Sequence, residues 1–312
     1  MKELINYCEL PHGHNPKPLL DINAYLQAEN LNGIELMLYK NDALPCNSLD
    51  KILGIHLKYW PFWMDFWNNN TEALKMQFAC QQELISYFGN ATSTEAWLAY
   101  IKDHIRAALA LNPEYLVWHV SNADYQEAFT WNFRYSDAEV LACTTELFNS
   151  IAEIIPATTL VLFENLWWPG LRLTNKEQVD SFLAQINHPH TGIMLDLGHL
   201  LNTNCELQNE VEAYAYALSV LEQLGETCKQ IKGVHLSCSL SGYYVKSFEK
   251  KFPNNTPIFK HITQIDQHRP CQNYELKKII NLIQPQYLVH ELYYNDFQEL
   301  SSLIKIQRNA FK

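Results

Sequence analysis

The sequence predicts an α/β fold of the (β/α)8, or TIM-barrel, class, with residues 1–312 forming a single domain. Short apolar runs begin near residues 4, 33, 52, 115, 159, 191, 231 and 287, and most are separated by stretches with helical periodicity. Six of the runs end in an acid or a histidine: Gly54-Ile-His56, Val117-Trp-His119, Val161-Leu-Phe-Glu164, Met194-Leu-Asp196, Gly233-Val-His235 and Leu288-Val-His-Glu291. Eight strands alternating with helices favour a closed parallel barrel.

Helix starts and long connections support this order. Capping-box patterns, in which a hydroxyl and a glutamate satisfy free backbone amides, occur at Thr92/Glu95, Ser136/Glu139 and Thr174/Glu177. Longer excursions follow the third strand (59–92) and the seventh (237–273), and we expect these long loops to cover the C-terminal face of the barrel.

A doubly wound open sheet is the alternative fold. It ranks lower because the first strand continues as Cys8-Glu-Leu-Pro-His-Gly-His-Asn15, which is not a glycine-rich phosphate loop. We expect His12 and His14 in this stretch to form a turn.

Composition limits the partners and the compartment. The net charge of −11 comes without a block of lysine or arginine, so nucleic acid is not favoured as a partner, although metal ions would add positive charge. No apolar run approaches the length of a membrane span. The eight cysteines lack CxxC spacing, which predicts free thiols in a reducing cytoplasm. The pattern does not predict an oligomeric state.

The polar strand ends predict a metal site. In a barrel, six side chains would leave strands three to eight at the same end: His56, His119, Glu164, Asp196, His235 and Glu291. Converging carboxylates and imidazoles suit Zn, Mn, Fe or Co. We further expect Gly198 to allow a sharp turn, so that Asp196 and His199 face one point.

Four of these segments carry a family resemblance: Phe163-Glu164-Asn165, Leu195-Asp-Leu-Gly-His199, Gly233-Val-His-Leu-Ser237 and Glu291. The chain resembles the xylose isomerase-like barrel superfamily, which includes sugar isomerases, epimerases and endonuclease IV. In the isomerases, residues matching Glu164, Asp196, His235 and Glu291 would bind one divalent ion. The resemblance implies that Glu164 and Glu291 act as acid and base, and that His199 contacts substrate or metal.

The endonuclease IV branch implies a larger set of three ions. His56, His119 and the pair Asp266-Gln-His268 match its additional ligands, so one to three ions per chain are expected. The chain also departs from both branches. Val-Ser-Asn-Ala after His119 does not match the endonuclease IV signature, and Ser237–Gly242 lacks the arginine usual in epimerases.

Aromatic residues cluster in the expected loops. Tyr59, Trp60, Trp167 and Trp168 would lie over the barrel mouth, where they either stack on a substrate or form a small apolar core that docks the loops.

The leading functional prediction is a divalent-metal isomerase or epimerase acting on a small, polar, sugar-like substrate, with proton transfer by Glu164 and Glu291. The second is a multinuclear metal phosphoesterase similar to endonuclease IV. A multinuclear non-haem iron oxidase and a non-catalytic barrel that binds a small ligand are further alternatives.

Overall fold

The computed structural model describes residues 1–8, 21–39, 49–251 and 257–312; His12 and His14 lie outside them. The eight strands are β1 (Lys2–Tyr7), β2 (Gly33–Met37), β3 (Ile52–His56), β4 (Tyr115–His119), β5 (Leu160–Glu164), β6 (Thr191–Asp196), β7 (Ile231–Leu236) and β8 (Tyr287–His290). Each strand pairs in parallel with its chain neighbours, and β1 also pairs with β8, which closes the barrel. The predicted barrel is therefore confirmed, and the open-sheet alternative is wrong.

The helices are α1 (Ile22–Ala28), α2 (Met64–Trp67), α3 (Thr71–Gln77), α4 (Gln81–Tyr87), α5 (Thr94–Leu109), α6 (Tyr125–Thr130), α7 (Asp137–Asn149), α8 (Lys176–Gln185), α9 (Leu197–Leu201), α10 (Glu210–Leu224), α11 (Gly242–Ser247), α12 (Ile258–Ile265), α13 (Leu276–Ile283) and α14 (Phe297–Phe311). In the described part of the β2–β3 connection, a 3₁₀ turn at Leu49–Lys51 is the helical element. Within the described residues, no helix is both long enough and apolar enough to cross a membrane.

The barrel interior is an apolar plug beneath a polar layer. Successive side chains on a strand point to opposite faces, so Leu160, Leu162 and Glu164 share the inner face of β5. The plug consists of Leu4, Tyr115, Val117, Leu160, Leu162, Met194, Tyr287 and Val289. Tyr115 fits because Gly54 faces it: a Cβ there would lie 2.2 Å from the Tyr115 ring. The layer of inward-facing side chains above this plug, at the C-terminal ends of the strands, carries the polar side chains.

The outer face of the sheet packs against the helices. Phe163 on β5 contacts Phe148 of α7 and Phe182 of α8, with ring centroids 5.0 and 5.1 Å apart. Since its neighbours Leu162 and Glu164 face inward, this packing fixes the register in which Glu164 enters the barrel.

Of the three predicted helix starts, one is confirmed. Ser136 and Glu139 form a complete capping box at α7. At α5 the cap is Ser93, which accepts from the Ala96 amide, and at α8 it is Asn175, so the starts expected at Thr92 and Thr174 are wrong by one residue. An N-cap residue directly precedes the first helical residue, and since α5 begins at Thr94 and α8 at Lys176, Ser93 and Asn175 occupy that position.

Both predicted excursions lie at C-terminal strand ends. The first contains α2, α3 and α4, and the second contains α11 and α12. They carry short helices rather than open loops, which lets them pack over the barrel mouth.

Candidate metal centre

The strand register places the polar side chains side by side. His119 is aligned with Glu164 across β4 and β5, and Asp196 with His235 across β6 and β7. His56 ends β3, and Glu291 follows β8. Because these positions share the inner face and the same end of the barrel, the side chains meet around its axis.

Glu164 lies at the centre of the group. Its Oε2 is 3.1 Å from His56 Nε2 and 3.3 Å from His119 Nε2. Its Oε1 is 3.2 Å from His235 Nδ1 and 3.4 Å from His199 Nδ1. The two carboxylate oxygens therefore face different sets of imidazoles, an arrangement that suits a ligand shared between two cations.

The nine side chains predicted as metal ligands fall into three sets, and within each set the potential ligand atoms lie within 4.8 Å of one another. Set one is His56, His119 and Glu164; set two is Glu164, Asp196, His235 and Glu291; set three is His199, Asp266 and His268. Asp266 and His268 thus reach the site, with His268 Nε2 2.7 Å from Asp266 Oδ2 and His199 Nε2 3.4 Å from the same oxygen.

Hydrogen bonds orient four of the five imidazoles. In each, one ring nitrogen lies beside an oxygen that accepts, so this nitrogen carries a proton, and the other nitrogen faces a carboxylate of the site and is the one that would bind a metal ion. The pairs are His56 Nδ1 with Leu57 O (3.3 Å), His199 Nδ1 with Asn165 O (2.9 Å), His268 Nδ1 with Glu291 O (3.1 Å) and His235 Nε2 with Glu35 Oε1 (2.9 Å). This is the support that metal-binding histidines normally have.

Unpartnered atoms in the site also fit cations. Asp196 Oδ2 and His119 Nδ1 are buried without a hydrogen-bond partner among the described residues, and the buried Glu291 Oε2 has only an ion-pair contact, with His235 Nδ1 at 3.1 Å. Leaving buried carboxylate oxygens unpaired is costly, and a cation would compensate for it. The donor set, its spacing and these orphaned atoms all fit divalent metal ions.

Burial and charge set the protonation of the site. Burial lowers the pKa of His119 to about 3, which keeps its imidazole neutral and able to coordinate. Burial, together with the charges of Glu291 and Glu164, raises the pKa of Asp196 to about 8. For Glu164, burial acts upward, but His119 and His235 bring the pKa well below 4.5. Burial lowers the pKa of the other four imidazoles, but the neighbouring carboxylates raise it above the ordinary value, so the ionised Glu164 lies among charged imidazoles and one neutral imidazole, that of His119.

The turn after β6 differs from the expectation. Asp196 is the N-cap of α9, with its Oδ1 accepting from the His199 amide at 2.6 Å, so the two side chains do face one region. Gly198, however, is helical and its φ lies outside the left-handed region. It is glycine because the loop after β7 approaches closely: a Cβ would lie 2.5 Å from Ser237 Oγ. The chain does turn from β6 directly into α9, but the glycine is required for this close approach and not for a left-handed backbone conformation.

Sequence reasoning missed two supporting residues. Glu35 is fully buried on β2, accepts from Tyr115 Oη at 2.8 Å and contacts His235; Glu35, His56 and His235 form a further set of closely spaced ligand atoms. A lone acid within the apolar strand Gly33-Ile-Glu-Leu-Met was the available signal. Asn165 lay in a quoted motif without a role; its amide group pairs with both Asp196 backbone groups, at 3.0 and 2.9 Å, and joins β5 to β6.

The four aromatic residues divide into two groups. Tyr59 stacks on His119 with ring centroids 4.3 Å apart, and Trp167 lies 5.1 Å from His199. Trp167 and Trp168 belong to a separate apolar cluster of the loops, yet with Tyr59 they also line a cavity beside the site, so both expected roles are compatible. Trp60 packs on Trp97 and donates to Tyr87 O; it does not line this cavity.

Solved structures share this fold at low sequence identity. Endonuclease IV from Thermus thermophilus is 13% identical, with a TM-score of 0.55 and coverage of 99% of this chain and 98% of that one. The 3-keto-D-glucoside 4-epimerase from E. coli is 12% identical, with a TM-score of 0.52 and 99% coverage of both chains. The IolI protein with a bound zinc atom is 15% identical, with a TM-score of 0.55 and coverage of 99% and 96%. At these identities the likeness shows the fold alone.

Sequence comparison defines the family. No curated protein sequence matches the chain. A family model described as xylose isomerase-like TIM barrel matches residues 81–283, which is more than half of the chain and extends from α4 to α13, including β4 to β7. The chain therefore belongs to the xylose isomerase-like TIM barrel family.

Proposed function

We propose that this protein is a multinuclear metal-dependent enzyme that hydrolyses a small phosphate ester. One observation carries the proposal: Glu164 directs its two carboxylate oxygens at different imidazole sets, within a group of nine potential ligands that forms three compact sets. A single-ion site needs only set two. Five more side chains at matching positions support a centre of up to three ions.

The chain's residues would divide the work as follows. Sets one to three would hold the ions, which, when bound, would supply Lewis-acid activation of water and of the phosphoryl oxygens. Water adds across the ester: its oxygen bonds to phosphorus, the bond from phosphorus to the organic oxygen breaks, and that oxygen leaves with a proton. Glu291 suits proton exchange because its Oε2 lies beside one imidazole, with His235 Nδ1 3.1 Å away, and its side chain is 15% exposed, against 1% for Glu164. Tyr59 and Trp167, stacked on or beside the imidazoles, limit the access of bulk water.

The isomerase or epimerase remains a prediction and ranks second. Its mechanism needs two glutamates beside the substrate, one to remove a proton and one to return it. Glu291 is placed for such a role. Glu164 is enclosed by four imidazoles within 3.4 Å, which supports a role as a ligand rather than as a mobile base.

An iron oxidase is supported by a different feature. Sets one and three each contain two histidines and one carboxylate, the ligand combination of non-haem iron sites that react with oxygen. Hydrolysis and oxidation then differ in the metal bound and in oxygen consumption, both of which are measurable.

The cysteines and the net charge support the expected compartment and substrate class. The seven described cysteines are all free, which supports the expected reducing cytoplasm. The net charge of −11 supports a small-molecule substrate over nucleic acid.

The test is metal content combined with turnover. Protein purified without chelator is analysed for Zn, Mn, Fe and Co, then assayed with p-nitrophenyl phosphate and bis(p-nitrophenyl) phosphate, with abasic DNA and with a ketose panel. We expect more than one ion per chain and turnover of at least one small ester. Glu164→Gln should abolish this turnover, whereas Glu177→Gln, at an exposed position on α8, should not.

Each contrary result identifies another function. One ion per chain with ketose turnover would establish the isomerase. Iron with oxygen uptake and no hydrolysis would establish the oxidase. If Glu164→Gln changed neither metal content nor ligand binding, the barrel would be a non-catalytic binding protein.

A further inference from the structure

A cavity of about 310 Å³ opens directly beside the metal centre. Three of the predicted ligands, His119, His199 and Asp266, form its inner end. The volume lies near the lower limit for cavities that bind small molecules. The cavity therefore suits a compact substrate that reaches the ligands with one end.

The wall of the cavity is mostly apolar and aromatic. It is built by the segments that follow β3, β4, β5 and β7, and its larger members are Tyr59, Phe62, Leu166, Trp167, Trp168 and Ile262. Tyr59 and Trp167 contact the imidazoles of His119 and His199, so the apolar wall continues up to the metal ligands. The indoles of Trp167 and Trp168 lie 4.9 Å apart within the loop cluster, which gives this wall a packed backing.

The wall offers no free charge to a substrate. No lysine or arginine is among the described residues that line it. Apart from the three ligands, its one ionisable acid is Asp124, which is already engaged: its Oδ1 accepts from the Glu127 amide at 2.7 Å, and its Oδ2 lies 3.7 Å from the Arg134 guanidinium. The other polar side-chain atoms of the wall are the hydroxyls of Tyr59 and Tyr125 and the indole nitrogens of Trp167 and Trp168; the Tyr59 hydroxyl and both indole nitrogens are buried. Recognition of charge is thus confined to the metal end.

We infer that the substrate is a phosphate ester whose organic part is aromatic or branched and apolar. The phosphate would face the metal centre and the organic part would occupy the cavity; the inference rests on the proposed function. A sugar in this position would bury several hydroxyl groups against a wall that has few hydrogen-bonding groups, at a cost in free energy. A phenyl or branched alkyl group gains from the same burial.

The test compares phosphonates that cannot be hydrolysed. Phenylphosphonate, methylphosphonate and inorganic phosphate are titrated calorimetrically into metal-loaded protein. Burial of one phenyl ring predicts that phenylphosphonate binds about 10- to 100-fold more tightly than methylphosphonate. Equal affinities for the two phosphonates would overturn the inference, as would tighter binding of methylphosphonate than of phenylphosphonate.

Two variants locate the binding. Ala128 lines the cavity on α6, so Ala128→Phe should remove the preference for phenylphosphonate while leaving methylphosphonate binding unchanged; Gln126→Phe, on the exposed side of α6, is the matched control. Ile262 on α12 is only half-buried, so Ile262→Asp tests the same wall if Ala128→Phe does not fold, with the exposed Gln264→Asp as its control. A preference that survives in both cavity variants would overturn the inference.

A metal-free measurement separates this inference from the proposed function. Chelator-treated protein is titrated with 4-nitrophenol, which needs no metal to enter an apolar cavity. Binding that Ile262→Asp weakens supports the cavity assignment even if no ester is hydrolysed. Ester turnover with no 4-nitrophenol binding and no phenyl preference overturns the cavity assignment and leaves the proposed function standing.

Discussion

His235 Nε2 lies 2.9 Å from Glu35 Oε1, and both side chains are fully buried inside the barrel. Nε2 donates to Glu35, and Nδ1 faces Glu164 and Glu291, at 3.2 and 3.1 Å. Glu35 therefore fixes which nitrogen of His235 is available to a metal ion, and it adds negative charge behind that ligand.

Glu35→Gln should weaken metal binding at set two. The amide keeps the shape of the side chain but removes its charge, and loss of such support typically costs about 10- to 100-fold in metal affinity. Competition with a chromophoric chelator measures the affinity. Tyr115→Phe, which removes only the hydroxyl that donates to Glu35, should cause a smaller loss. If Glu35→Gln bound metal as tightly as the wild type, Glu35 would have no positioning role.

The number of ions lost should depend on which ligand is changed. Glu164 belongs to two of the three sets and Asp266 to one, so Glu164→Gln should leave one ion per chain where Asp266→Asn leaves two. Elemental analysis after gel filtration gives the counts, and Glu177→Gln serves as an exposed control. Identical losses in both ligand variants would contradict separate sets and indicate one cooperative cluster.

Gly198→Ala should destabilise the junction between β6 and β7. The added Cβ would lie 2.5 Å from Ser237 Oγ and 3.1 Å from Ser239 Oγ, and crowding of this kind costs about 1–3 kcal/mol in the free energy of unfolding. Ser237 Oγ has no hydrogen-bond partner among the described residues, so Ser237→Ala should be mild and should recover part of the loss in the double variant. Denaturant unfolding of all three variants measures this coupling. Purely additive effects would show that the strain lies elsewhere.

The barrel and most of its site could be predicted because the apolar runs and the polar residues that end them recur together along the chain. Apolar runs of strand length defined the eight strands, and a polar residue at the end of six of them had one consistent explanation at the C-terminal face. Alternation along a strand then placed Glu164 on the same face as Leu162, over the apolar plug.

The remaining features depend on tertiary packing. Asp266 and His268 follow His235 by about thirty residues, and their position is set by how α12 packs over the mouth, which local pattern does not encode. Glu35 was missed because an acid within a buried strand has the same sequence pattern whether it supports a ligand or pairs with another group. Gly198 was misinterpreted because a glycine required for close approach resembles one required for a turn.

Glu3 should make folding stability depend on acid pH. Its carboxylate is buried beside His290, whose Nε2 is 2.8 Å away, and Arg308; burial raises its pKa, but these partners lower it to about 2. Because the folded pKa lies below the ordinary value of 4.5, this stabilisation is present above pH 4.5 and is lost as pH falls toward 2. Glu3→Gln should lower the free energy of unfolding by about 2 kcal/mol at neutral pH. Urea unfolding from pH 7 to 3 should show the difference in stability between Glu3→Gln and the wild type shrinking below pH 4.5. The exposed Glu222→Gln should match the wild type throughout. A difference between Glu3→Gln and the wild type that does not change with pH would contradict this role of Glu3.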